Sequence, residues 1–78
     1  MDKYVDSALV AIDTVGTVDV STVRLPRLPD GEDEYETCLF YRGFNSSSSE
    51  VINRYYSRSE AKNGHQMIVA TLQFVLDK

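Results

Sequence analysis

A chain of 78 residues with 42 % hydrophobic content and a net charge of −4 supports one domain around one core, and at this length only about 60 to 65 % of the unfolded surface is buried on folding. Small domains are usually reinforced by disulfides, metals or oligomerisation. Cys38 is the only cysteine and His65 the only histidine, which excludes an internal disulfide and a structural zinc site of thiols and imidazoles and leaves self-association as the open route. The charge is uneven: residues 1–36 hold three basic and nine acidic side chains, residues 37–78 five and three. An acidic balance argues against nucleic acid as a partner, because that affinity comes mainly from neutralising phosphates. The stretch Met1–Asp13 carries acids within its short apolar run and no basic leader, and no apolar run approaches the roughly 20 residues of a membrane span. The expectation is a cytoplasmic protein with no membrane partner and a reduced thiol.

In chain order, residues 3–15 are ambiguous. Val5, Ala8, Leu9, Ile12 and Val15 fit a helix, while Ala8, Val10 and Ile12 alternate as a strand would; the β-branched content favours a strand ending in a turn at Val15-Gly16. Val18–Leu25 is a strand whose apolar phase changes between Val20 and Val23, which predicts a bulge near Ser21-Thr22. Pro26 to Glu34 is a turn-rich acidic connection with an Asp30-Gly31 reversal. Tyr35–Arg42 and Glu50–Tyr56 are rich in Tyr, Val, Ile, Thr and Phe, and the segment between them, Gly43-Phe44-Asn45 with four serines, reads as the loop of a β-hairpin. Within the first of these strands Glu36, Cys38, Phe40 and Arg42 share one face and Tyr35, Thr37, Leu39 and Tyr41 the other, and the pattern leaves open which face is buried.

The last element has the clearest signal. Ser57-Arg58-Ser59-Glu60 is a capping box, and the spacing that follows predicts a helix over 58–76. Ala61, Gly64, His65, Ile68, Leu72, Val75 and Leu76 form an apolar face opposite Lys62, Gln66, Gln73 and Asp77, so the helix packs on the sheet. Met67 and Phe74 lie seven residues apart outside that stripe, a second strip that a homodimer could bury. The fold class expected is α+β: a small antiparallel sheet of three to four strands with one C-terminal helix on a face, forming a single domain over 1–78.

Three segments occur in a recognisable order: Val20-Ser21-Thr22-Val23 with Leu25; Tyr35-Glu36-Thr37-Cys38-Leu39-Phe40; and Arg54-Tyr55-Tyr56-Ser57 with Glu60-Ala61 and Gly64-His65. Together they resemble a family of small uncharacterised bacteriophage and prophage proteins, over residues 20 to 69. The chain departs from that pattern at Pro26-Arg27-Leu28, where the family tends to have Gly-Leu-Asp-His, at Cys38 and Leu39, which replace Met and Val, and in the additional Tyr56. The resemblance implies a phage or prophage source and carries no activity with it.

Several groups of residues bear on function. Arg54, Arg58, Lys62 and His65, with Tyr55 beside them and the capped helix start between, could hold a nucleotide-like anion; alternatively they are solvated charges, with Arg54 paired to Glu36 or Glu50. His65 next to Gly64 suggests a structural role, with Gly64 admitting Tyr55 or Phe40 and His65 making one buried hydrogen bond. Cys38 with His65 lacks an orienting third group, so no catalytic residue is assigned. Tyr35, Tyr41, Tyr55 and Tyr56 read either as a stacking platform or as ordinary cross-strand packing. The acidic run Asp30, Glu32, Asp33, Glu34, Glu36 reads either as a phosphate-backbone mimic or as a solvated loop. The reading that follows is a non-enzymatic phage-encoded binding protein without cofactor or metal, acting on a host or phage protein, with inhibition of host defence as one such action. Met67, Phe74, Tyr41, Glu32, Asp33 and Glu34 are its candidate contact residues, and it is expected to be a homodimer. The alternatives are a ligand sponge using Arg54, Arg58, Lys62, His65 and Tyr55, and a minor structural component of the virion.

Overall fold

The computed structural model describes residues 8–26, 29, 31–42 and 47–76. Four strands, β1 (Ala8–Val15), β2 (Val18–Arg24), β3 (Tyr35–Arg42) and β4 (Ser47–Tyr55), precede one helix, α1 (Arg58–Leu76). The sheet is an antiparallel meander in the order β1-β2-β3-β4, and α1 returns across one of its faces. The fold is therefore α+β, with the C-terminal helix on a small antiparallel sheet. From Ala8 onward the ambiguous first segment is a strand, and it turns at Gly16, whose φ of 61° suits a residue without a Cβ; residues 3–7 lie outside the described residues. Among the described residues no helix is long and apolar enough to cross a membrane.

The strand register corrects two expectations. The bulge predicted at Ser21-Thr22 is not in β2, which pairs with β3 without interruption from Val18↔Tyr41 to Arg24↔Tyr35. The irregularities lie in the flanking strands instead. Val10 is the additional residue in β1 and Ile52 in β4, at sheet edges, where bulges concentrate. The apolar phase change between Val20 and Val23 has another cause: Val23 lies on the helix-free face, level with Leu9 and Glu36, and the inward position between them is taken by the polar Thr22. It points inward and is fully buried, so Val18, Val20 and Thr22 keep one phase throughout. The second correction concerns the serines. β4 begins at Ser47, and Ser47, Ser48 and Ser49 pair with Arg42, Tyr41 and Phe40, because backbone ladder bonds outweigh the weak strand propensity of serine. The expected loop residues Gly43, Phe44 and Asn45 lie outside the described residues. β4 ends at Tyr55, so Tyr56, expected in the strand, falls in the bend before the helix.

The helix starts at the expected place. Ser57 Oγ accepts the Glu60 N–H at 3.2 Å and Ser57 O accepts the Ala61 N–H at 3.0 Å, which satisfies donors that a helix start otherwise leaves open. From there α1 crosses the sheet diagonally. Its first turns pack Ala61 against Tyr35 and Tyr55 with Val10 alongside; its middle packs Ile68, Val69 and Leu72 against Val18, Val20 and Leu39. Its end reaches the β1–β2 turn, where a Cβ on Gly16 would lie 3.4 Å from Leu76 Cδ1. Val75 and Leu76, expected on the buried face, are about half exposed because the helix runs off the sheet there, and Val69 joins the core instead.

Gly64 is where the helix and β4 come closest. A Cβ at this position would lie 2.5 Å from Tyr55 Cζ, so the ring that glycine admits is that of Tyr55. Phe40, the other candidate, is on the opposite face of the sheet, level with Asp19 and Ser49. Tyr55 is itself buried. Overpacking of this kind costs about 1–3 kcal/mol against roughly 1 kcal/mol gained in helix propensity. Gly64→Ala is expected to lower the stability measured by urea denaturation, and the loss should shrink in a Tyr55→Leu background; additive effects of the two changes would show that the contact is not the cause.

Candidate functional site

Beneath the helix lies a chain of buried polar groups. Thr22 Oγ1 sits 2.5 Å from Thr37 Oγ1 and 2.7 Å from His65 Nδ1, Thr37 Oγ1 donates to Tyr55 Oη at 3.2 Å, and His65 Nε2 stands 2.7 Å from Asp13 Oδ2. Thr22 and Thr37 are cross-strand partners, so the pleat brings their hydroxyls together. Asp13 is opposite Val20 and so shares the same face, where His65 reaches it from α1. His65 is 2 % exposed and both ring nitrogens are partnered. Asp13, about half exposed, is the member of the chain that opens to solvent. The sequence reading assigned His65 one bond; it makes two, and Asp13, Thr22 and Thr37 were not singled out. The missed signal was polar residues at inward positions of three strands, which becomes visible only once the phase of each strand is known.

Thr22, His65 and Asp13 follow the order of a nucleophile, a base and an orienting acid. Their placement serves packing: Thr22 has no solvent exposure, so a substrate cannot approach its hydroxyl. Cys38 stands level with Ser21 and Val51 on the helix-free face, and the sheet separates it from His65.

The candidate anion-binding residues do not converge. Arg54 is on the helix-free face, where its Nε is 3.6 Å from Glu36 Oε2. His65 is buried between α1 and the sheet, and Tyr55 is in the core beside it. Arg58 and Lys62 are exposed on α1. The tyrosines divide in the same way. Tyr35 and Tyr55 are buried, whereas Tyr41 and Tyr56 are exposed, so they form no common stacking surface. Of the candidate contact residues, Met67 and Phe74 are among the most exposed apolar side chains, at 70 % and 67 %. Tyr41 is at the margin of the sheet and donates to Glu50 Oε1 at 2.8 Å; that bond, more than any burial, raises its pKa. Glu32 is exposed, Asp33 and Glu34 are half-buried, and the Glu34 carbonyl closes the connection by accepting the Leu25 N–H at 2.8 Å. Asp30 lies outside the described residues.

Besides Met67 and Phe74 on the helix, two further accessible apolar features lie among the described residues. The diagonal course of α1 leaves the inner surface of the β3–β4 hairpin partly uncovered, giving an open cleft of about 400 Å³ bounded by Leu39, Ile52, Asn53, Met67, Ile68 and Leu72. The other feature is the helix-free face of the sheet. Cross-strand register places Ile12, Ser21, Cys38 and Val51 in one row and Leu9 and Val23 beside it, with Phe40 on the other flank. Leu9, Ile12, Phe40 and Val51 are between 41 % and 56 % exposed. Ion pairs bracket them: Glu36 with Arg54 at one end, and at the other Asp19 with Arg42 at 2.9 Å, where Asp19 also accepts from Thr14 at 2.6 Å. No known protein family, curated protein or solved structure matches this chain.

Thr22→Val keeps the shape but removes the hydroxyl shared by Thr37 and His65. Leaving buried partners unsatisfied costs about 1–3 kcal/mol, so chemical denaturation should show a loss in that range, with a smaller one for Thr22→Ser; a neutral Thr22→Val would show that the chain of bonds adds nothing. On the other face, burial, then the Glu36 charge and its hydrogen bond at 3.6 Å, push the Cys38 thiol upward, against a smaller opposing effect of Arg54. Little thiolate therefore forms near neutral pH, and the thiolate is the reactive species. Alkylation of Cys38 at pH 8 should be slower than that of a free thiol and should accelerate in Glu36→Gln, where two of the upward effects are removed. An unchanged rate in the variant would contradict this assignment.

Proposed function

We propose that this chain is a non-enzymatic binding protein that docks a host or phage protein on the helix-free face of its sheet. The observation that carries the reading is the cluster Leu9, Ile12, Phe40 and Val51, exposed on all but one strand of one face and rimmed at both ends by ion pairs. Contiguous apolar surface with a polar rim is the usual anatomy of a protein-binding patch, and an antiparallel sheet with one side in water normally carries polar residues there. Protein is a better partner than nucleic acid because Arg42 and Arg54, the cations of this face among the described residues, are each already paired with a carboxylate, and the chain as a whole is acidic. The nucleotide-sponge reading loses support, since Arg54 and His65 lie on opposite sides of the sheet. The phage source rests on the resemblance of the three segments alone, and with it the suggestion that the target is a component of the host's defence or of the phage itself.

Val51→Lys and Ile12→Lys place a charge at either end of the central row of the patch, at exposed positions where substitutions typically change stability by no more than about 0.5 kcal/mol. Affinity capture from host lysate should yield a stoichiometric protein partner with the parent chain that is lost with either variant and kept with Met67→Lys. A partner retained by Val51→Lys and lost in Met67→Lys would move the docking site to the helix and sink this assignment.

A further inference from the structure

The outward side of α1 has a composition that a solvated helix does not need. Residues 63–76 contain no Asp, Glu, Lys or Arg, although Asn63, Gln66, Met67, Ala70, Thr71, Gln73 and Phe74 are all exposed. Protein surfaces normally carry about 25–35 % charged residues, and charge depletion with enrichment in Met and aromatic residues marks the buried centre of an interface. Helical periodicity puts Met67, Ala70, Thr71 and Phe74 on one stripe, with Ala70 and Phe74 turned away from the buried Ala61 and His65 and Met67 and Thr71 along the edge that also lines the cleft.

We infer that this stripe is the interface of a symmetric homodimer in which α1 packs antiparallel against α1 of a second copy. The stripe is self-complementary. Its order is large, small, small, large, so a two-fold axis between Ala70 and Thr71 sets Met67 against Phe74 of the second copy at both ends and small residues at the crossing, where the backbones come closest. A two-fold interface requires such matching of a surface to itself, and a thioether against an aromatic ring is a favourable contact. Antiparallel packing also sets the positive end of each helix dipole beside the negative end of the other, and α1 has no basic residue in its last turn. The resulting order of layers is sheet, helix, helix, sheet. Each helix-free face then points outward, so the dimer neither covers nor depends on the docking face proposed above.

One helix crossing with its immediate flanks buries less than the roughly 800 Å² per partner of a standard stable interface. The dimer is accordingly concentration-dependent, with a dissociation constant on the order of micromolar or weaker. Sedimentation velocity over about 5 to 500 µM, a range chosen to bracket that affinity, should show the mass rising reversibly from 8.8 kDa towards twice that value. Phe74→Glu and Met67→Glu should each weaken association at least about tenfold with the far-UV circular dichroism unchanged. In a Cys38→Ser background, Thr71→Cys should form a covalent dimer on mild oxidation and Gln66→Cys, on the flank of the helix, should not. A monomer throughout the range, association that survives Phe74→Glu, equal cross-linking through Gln66→Cys, or association abolished by Val51→Lys and not by Phe74→Glu would each overturn the inference. The last result would identify the sheet face as the self-association surface and so separate this proposal from the one above.

Discussion

The structure depends on how a single helix is attached to a sheet wider than itself. α1 is held by two contacts one residue apart: Gly64 against the Tyr55 ring, which sets how close the helix lies, and His65 between Thr22 and Asp13, which sets where along the sheet it lies. The first is steric and the second directional, and neither alone would suffice. Apolar packing of Ile68, Val69 and Leu72 on Val18, Val20 and Leu39 contributes most of the burial, but it is non-directional and would tolerate a sliding helix. With Tyr55 on β4, Thr22 on β2 and Asp13 on β1, the adjacent residues 64 and 65 together contact three of the four strands.

The diagonal path that this attachment imposes determines what is left uncovered. A helix running from the Tyr35–Tyr55 end of the sheet to the β1–β2 turn cannot also shield the far part of the β3–β4 hairpin, and the cleft beside Ile52 and Met67 results. One helix also cannot cover both faces of a sheet. Among the described residues the uncovered apolar surface therefore lies in the cleft, on the outer side of α1, which shares Met67 with the cleft, and on the helix-free face. Charge separates the last two. The sheet face has ion pairs at its ends, whereas residues 63–76 of α1 contain no Asp, Glu, Lys or Arg.

Much of the architecture was legible because local signals agreed with the tertiary structure. The Ser57 cap located the helix start, the glycine beside His65 indicated a close approach, and the Tyr35–Arg42 pattern marked a strand. The misreadings share one physical cause, which is that a residue's type was taken for its environment. Val20 and Val23 are both apolar yet lie on opposite faces, so their spacing mimics a bulge in β2 that is not there; the inward place beside Val20 is taken by Thr22, whose hydroxyl is buried because Thr37 and His65 satisfy it. Ser47 to Ser49 were assigned to a loop because serine favours turns, yet pairing with β3 overrides that preference. Arg54, Arg58, Lys62 and His65 were grouped by sequence proximity, and the strand-to-helix transition between Tyr55 and Arg58 distributes them over both faces of the sheet. Asp13 carried no local signal, because its partner is 52 positions away.

The buried polar chain is one reason why so small a domain adopts one strand register. A β-strand that slips by a single residue exchanges its two faces. In β2 this would bring Asp19, Ser21 and Val23 inward in place of Val18, Val20 and Thr22, so that two buried valines are exchanged for one and apolar burial itself favours the observed register. A slip also removes the Thr22 hydroxyl from between Thr37 and His65, leaves His65 Nδ1 without its partner and buries the Asp19 carboxylate. Unsatisfied buried polar groups cost far more than their satisfied counterparts contribute. The Thr22–His65–Asp13 chain thus adds to the loss of apolar burial a penalty for its own disruption, and both act against a slipped β2.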